Sequence, residues 1–137
     1  MGRPTVKFLL SNYSDIMAVD EGRLTPDRVR QIEISGVVDP GATNLVLPLN
    51  VVQLLGLPFD GKVSVTYGDR RSEIRDTVRN AHVRLCDRAN VFQAMVEPNR
   101  EDALVGAIVM ESLDLIVDCR NLSVHPRNPN FIVTEVE

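Results

Sequence analysis

The chain has 137 residues, enough for one domain with a modest core, and its 44% apolar and 25% charged residues are ordinary values for a soluble domain. A net charge of −4 provides no broad basic face, which argues against nucleic acid as the main partner. No apolar run nears the length of a membrane span, and Phe8-Leu9-Leu10 is too short for a signal-peptide core, so a cytoplasmic protein without a membrane partner is expected.

Thr5 to Leu10 reads as an opening strand. Asp15 to Asp27 mixes charge with Gly22 and Pro26 and reads as a connection, with a short extended piece at Met17-Ala18-Val19. Val29 to Ile34 alternates apolar and polar residues, as a half-buried strand does. The apolar run then continues to Asp39, breaks at Pro40-Gly41 and resumes at Leu45-Val46-Leu47, giving strand, tight loop, strand, with a carboxylate at the loop. A carboxylate driven inward among that much Val and Leu is expensive to hide without partners or a job.

Leu49 to Leu55 gathers Val51, Val52, Leu54 and Leu55 on one face of one or two helical turns, which Gly56 and Pro58 stop. Phe59-Asp60-Gly61-Lys62 reads as a turn. Lys62 to Tyr67 and Ser72 to Val78 flank the turn signal Gly68-Asp69-Arg70-Arg71 and form a hairpin. Its basic residues Arg70, Arg71, Arg75 and Arg79 are interrupted by Asp69, Glu73 and Asp76, the pattern of a solvated face. A second hairpin runs from Ala81 to Cys86, turns over Asp87 to Asn90 and returns from Val91 to Val96. Pro98 to Asp102 is a loop, Leu113 to Cys119 a strand that closes the core, and Leu122-Ser123-Val124 one more. The tail is loose until Phe131-Ile132-Val133, a triplet suited to adding a strand to a sheet edge or to a neighbouring subunit. Cys86 and Cys119 read as free buried thiols, and with His82 and His125 isolated no metal site is expected.

Val37-Val38-Asp39-Pro40-Gly41-Ala42-Thr43 resembles the active-site loop of retropepsin-like aspartic proteases, whose usual pattern is apolar-apolar-Asp-Thr-Gly-Ala-Ser/Thr. Leu104-Val105-Gly106 followed by Val109 to Asp118 is similar to the family's later apolar-apolar-Gly segment, short helix and final strand. Leu47-Pro48 and Val51 to Leu57 are similar to the segment that follows the active-site strand in microbial members. The resemblance covers roughly residues 30 to 125. It implies an all-β, closed acid-protease barrel or sandwich with one short helix, in which residues 1–137 form a single domain that pairs as a homodimer.

The implied activity is that of an aspartic endopeptidase acting on polypeptide, with no cofactor and no metal. Asp39 is then catalytic, Pro40, Gly41, Ala42 and Thr43 form its loop, and Tyr67, Gly68, Asp69, Arg70 and Arg71 form the flap. Such chemistry needs two carboxylates sharing one proton. Asp60-Gly61 lacks the preceding apolar run, so the second carboxylate is expected from a two-fold-related copy. The Gly41 amide is expected to point at the carboxylate, and Thr43 either hydrogen-bonds in the loop or sits in a strand. Val65, Tyr67, Ile74 and Leu104 are expected as groove walls.

Pro40 stands where the family has Thr or Ser, and it lacks the hydroxyl and the amide that lock the two loops across the dimer. Ala107-Ile108 stand where relatives often carry a polar residue followed by Asp or Asn. Two other readings therefore remain open. One is a catalytically weak or inactive protease-like dimer that binds extended peptides by strand addition. The other is an unrelated small β-domain in which Asp39-Pro40-Gly41 is a plain turn.

Overall fold

A computed structural model describes residues 2–136. Strands β1 (Thr5–Asn12), β2 (Gln31–Val38), β3 (Leu45–Pro48), β4 (Phe59–Thr66), β5 (Ser72–Leu85), β6 (Arg88–Glu97) and β7 (Ala103–Val105) form one sheet in the order β1-β2-β7-β3-β6-β5-β4. A further pairing of Leu9 to Asn12 with Ala81 to Arg84 joins β5 back to β1 and closes a six-stranded barrel. Closure leaves those strands without free edges. The all-β expectation is met at this level.

The barrel is filled by one cluster that includes Leu10, Val38, Leu45, Leu47, Val78, Val83 and Val105, all fully buried. Two short helices cover it. In α2 (Leu49–Leu55) the buried residues are Val51, Val52 and Leu55, one face of two turns. In α3 (Ala107–Ser112) they are Val109 and Met110. Burial of each such side chain contributes about 1.5–3 kcal/mol, so these few residues hold helices too short to form alone.

The segment read as a connection is instead a helix, α1 (Tyr13–Asp20), followed by a 3-10 turn at Pro26–Arg28. Among the described residues there are thus three α-helices where one was expected. A buried polar clasp explains the first of them. Asn12 accepts from the Asp15 amide at 3.2 Å as N-cap, and its Nδ2 donates to Leu55 O at 2.8 Å, tying α1 to the end of α2. Arg30 forks onto Asp15, Nε to Oδ2 at 2.8 Å and Nη2 to Oδ1 at 3.0 Å. Gly56 caps α2 with φ +62°, a conformation that strains other residues, and a Cβ there would lie 2.1 Å from Arg30 Nη1 and displace that guanidinium.

β5 explains the hairpins. It is a single 14-residue strand rather than two, and it bends at an irregularity between Val78 and Ala81, where Asn80 has φ +66°. Before the bend its outer neighbour is β4; after it, β1. The β4–β5 arm therefore stands off the barrel, and β4 is exposed along nearly its whole length. Phe59 to Lys62 belongs to β4 and not to a turn, with Asp60 accepting from the Thr77 hydroxyl at 2.6 Å. The second turn is Cys86-Asp87, φ +54° and +60°, so Arg88, Ala89 and Asn90 are strand. Both values suit a type I′ turn, whose usual signal is Asn-Gly.

The strand expected to close the core, β8 (Leu115–Asp118), pairs only with β9 (Ser123–Pro126), in a separate two-stranded sheet. Phe131-Ile132-Val133 forms no strand and is exposed; Arg88 Nη2 donates to Phe131 O at 2.8 Å and the Val133 amide to Asp114 at 2.9 Å. Cys119 is exposed rather than buried, Cys86 is partly buried, and burial pushes the Cys86 thiol above its ordinary value. No helix of the structure is long and apolar enough to cross a membrane.

The hydrogen bonds from Arg30 hold the Asp15 carboxyl below its ordinary value of 3.8. A carboxylate lowered in the folded state stabilises the fold above its unfolded pKa, and that stability is lost as pH falls through the folded value. Asp15→Asn is expected to cost about 1–3 kcal/mol at neutral pH, and the difference from the parent to shrink below pH ~3.8. Urea unfolding at both pH values measures it; an equal loss at both would remove the carboxylate from the explanation.

Candidate active-site groove

β7 lies between β2 and β3, parallel to β2 through Val37↔Leu104 and antiparallel to β3 through Leu45↔Val105. The loop from Asp39 to Asn44 must therefore pass around the end of β7. Three backbone bonds hold it there. The Asp39 amide donates to Val105 O at 3.0 Å, the Ala107 amide to Ala42 O at 2.8 Å, and the Ile108 amide to Thr43 O at 3.0 Å. Gly106 sits in the crossing: a Cβ on it would meet Asn44 O at 2.4 Å and the Thr43 carbonyl carbon at 2.7 Å. No side chain fits against backbone at that distance.

Asp39 follows the last residue of β2, and its side chain is 26% exposed rather than driven into the interior. Gly41 donates its amide to Oδ1 at 3.0 Å, as the sequence implied. Oδ2 accepts from Arg3 Nη1 at 2.6 Å, a partner 36 residues away that no local pattern announces. Pro40 and Gly41 are exposed and Ala42 is half-buried, with its amide donating to Asp39 O at 3.1 Å. Thr43 lies in the loop and not in the strand; it is exposed and holds the loop through its carbonyl.

Asp39 and Ala42 stand at one end of a groove of about 380 Å³ whose apolar walls are Val46, Val65, Met95 and Leu104. Tyr67 and Gly68 from the turn of the β4–β5 arm line it too, together with Arg75, Glu97 and Arg100. The arm is pinned there. Tyr67 Oη donates to Glu97 Oε2 at 2.8 Å, and Arg75 Nε donates to Glu97 Oε1. Burial, reinforced by the bond to Glu97, raises the Tyr67 hydroxyl pKa, so this donor stays protonated at neutral pH. Arg71 lies over the Tyr67 ring, 4.8 Å from its centroid.

Of the expected wall residues, Val65, Tyr67 and Leu104 line the groove, whereas Ile74 points to solvent at 61% exposure. Of the expected flap residues, Tyr67 and Gly68 face the groove. Asp69, Arg70 and Arg71 form the exposed turn, closed by Arg70 N to Tyr67 O at 2.9 Å with φ +67° at Arg70. Glu97, Arg100 and Met95 escaped the sequence reading, because nothing local marks which strand end faces a remote loop. Arg75 was placed on a solvated face but is drawn inward by Glu97. A depression of similar size, about 390 Å³, adjoins the groove and shares Val65, Thr66 and Met95 with it, but its lining of Asn44, Ser64, Thr77, Gln93 and neighbours contains no titratable side chain. The chain matches no family model and no curated protein.

Gly106→Ala is expected to destabilise the fold by about 1–3 kcal/mol, because backbone rather than a flexible side chain must yield. A shift of the urea midpoint checks this, and an unchanged midpoint would contradict the crossing described above.

Proposed function

We propose that the chain is a retropepsin-like aspartic endopeptidase that works as a homodimer, each copy supplying one Asp39. The observation that carries this reading is the pairing of a backbone-held carboxylate with a groove that the turn of a hairpin arm also lines. Two such carboxylates a hydrogen bond apart cannot both ionise. The charged one takes a proton from bound water, while the protonated one donates to the peptide carbonyl and increases its electrophilicity. Closure of the arm over an extended peptide excludes bulk water.

Two further features support a second copy. Ile116, Leu122, Phe131 and Ile132 expose apolar surface around the two-stranded sheet of β8 and β9, where a second copy could cover it. Arg3 occupies Oδ2, the oxygen a second carboxylate would approach, but its own side chain is 57% exposed. Such surface pairs contribute less than about 1 kcal/mol, so an arriving partner displaces it at little cost.

Pro40 favours a second reading. It offers neither hydroxyl nor amide for a lock between loops, and each missing bond forfeits about 1 kcal/mol. Under that reading the dimer holds extended peptides in the groove with little or no turnover.

Asp39→Asn separates these readings. It is expected to cut cleavage of a denatured protein at acidic pH by at least ~100-fold while leaving the dimer intact. Sedimentation and a digestion series with a peptidic aspartic-protease inhibitor as control measure both. Cleavage that survives the substitution, or a monomer at all concentrations, sinks the protease reading. Pro40→Thr is expected to tighten the dimer by at least about tenfold and to raise the rate; unchanged sedimentation and rate would count against a cross-dimer lock.

A further inference from the structure

The hairpin end of the groove carries a charge pattern that peptide hydrolysis does not require. A recess of about 180 Å³ opens there, lined by Tyr67, Arg71, Arg75, Glu97, Asn99 and Arg100, and it shares Tyr67, Arg75, Glu97 and Arg100 with the Asp39 groove. Three guanidinium groups thus face one carboxylate, in a chain whose net charge is −4. Glu97 is spent on Tyr67 and Arg75. Arg100 uses Nε and Nη2 on Asp102, leaving Nη1 without a partner among the described residues. Arg75 also has Glu73 at 4.0 Å, a weak contact. Arg71 belongs to no ion pair among the described residues, and Asp69 beside it is engaged by the Arg71 backbone amide. Its guanidinium is nevertheless positioned, because it lies on the Tyr67 ring and Tyr67 is itself fixed by Glu97.

We propose that this recess is a subsite for the carboxylate of an acidic side chain, so that the groove selects extended peptides carrying Glu or Asp at the position reaching Arg71. The inference rests on the groove holding a peptide, as proposed above, but not on cleavage. A planar guanidinium held against an aromatic face offers two parallel N–H donors to a carboxylate, and the unused Nη1 of Arg100 and the amide of Asn99 add further donors. The occupant is a carboxylate rather than a long polyanion, since the recess is small and its arginines have Glu73, Asp69 and Asp102 as neighbours.

The test uses the full-length Asp39→Asn chain, so that cleavage does not consume the peptide, and fluorescence anisotropy with labelled, C-terminally amidated peptides. A set of peptides carries a single Glu at successive positions, each matched by a Gln peptide; a further peptide lacks Glu but ends in a free carboxylate. At one position Glu is expected to bind about tenfold tighter than Gln. Adding Arg71→Gln should reduce that ratio to near one without weakening the Gln peptide, and 0.5 M salt should shrink it. Equal binding of Glu and Gln peptides everywhere overturns the subsite and leaves the peptide groove standing. Preference for the free terminus over any internal Glu also overturns it. A loss of both peptides on Arg71→Gln shows a structural role instead, and no binding of any peptide overturns the groove as well.

Discussion

The structure depends on the close crossing of Gly106 with the backbone of Thr43 and Asn44. A short strand of three residues is inserted between β2 and β3, which are neighbours in sequence but not in the sheet. The loop joining them has to travel around its end, and the only residue that lets two backbones approach so closely is glycine. From that crossing follow the amide bonds that hold Ala42 and Thr43, the start of α3, and the fixed exit of β2 into Asp39. The loop thereby acquires a rigid seat while Pro40, Gly41 and Thr43 stay exposed.

Charge is distributed unevenly around the groove that this seat opens onto. At one end a single carboxylate holds two donors, one from its own loop and one from Arg3. At the other a Tyr67–Glu97–Arg75 network joins the hairpin arm to the end of β6. The network makes the arm's position a consequence of tertiary contact rather than of turn chemistry, since β4 itself pairs only with β5. The tip of the arm is held by the bonds of Tyr67 and Arg75 to Glu97, and its base by Gln93 Nε2 donating to Asp60 Oδ2 at 3.2 Å. The apolar walls between the two ends, Val46, Val65, Met95 and Leu104, supply contact area without selecting any one side chain.

Much of this was legible residue by residue. α2 was read to its ends because its apolar face and its stop signals, Gly56 and Pro58, are all local. The Asp39 loop was legible because an apolar run, a break and a second run have one simple reading. α1 was not, since its stability comes from Asn12 reaching Leu55 and Asp15 reaching Arg30, contacts invisible to a local pattern. The turn at Cys86-Asp87 was misplaced because neither residue announces positive φ, and the surrounding ladder imposes it. β8 packs against the core through Leu115 and Val117 as its apolar content implied, but its strand partner is β9 and not the barrel sheet, a choice no local pattern announces.

By itself the sequence determined the strand-rich composition, the acid at the apex of an apolar loop and the glycine that turns its amide onto that acid. These are properties of neighbouring residues, and neighbours interact whatever the rest of the chain does. Tertiary structure alone decided that Arg3 meets Asp39, that Glu97 draws Tyr67 and Arg75 together, and that Arg71 is left with an aromatic seat and no carboxylate. Such encounters join positions tens of residues apart. Their geometry is set by barrel closure and strand order, which no local pattern of side chains encodes.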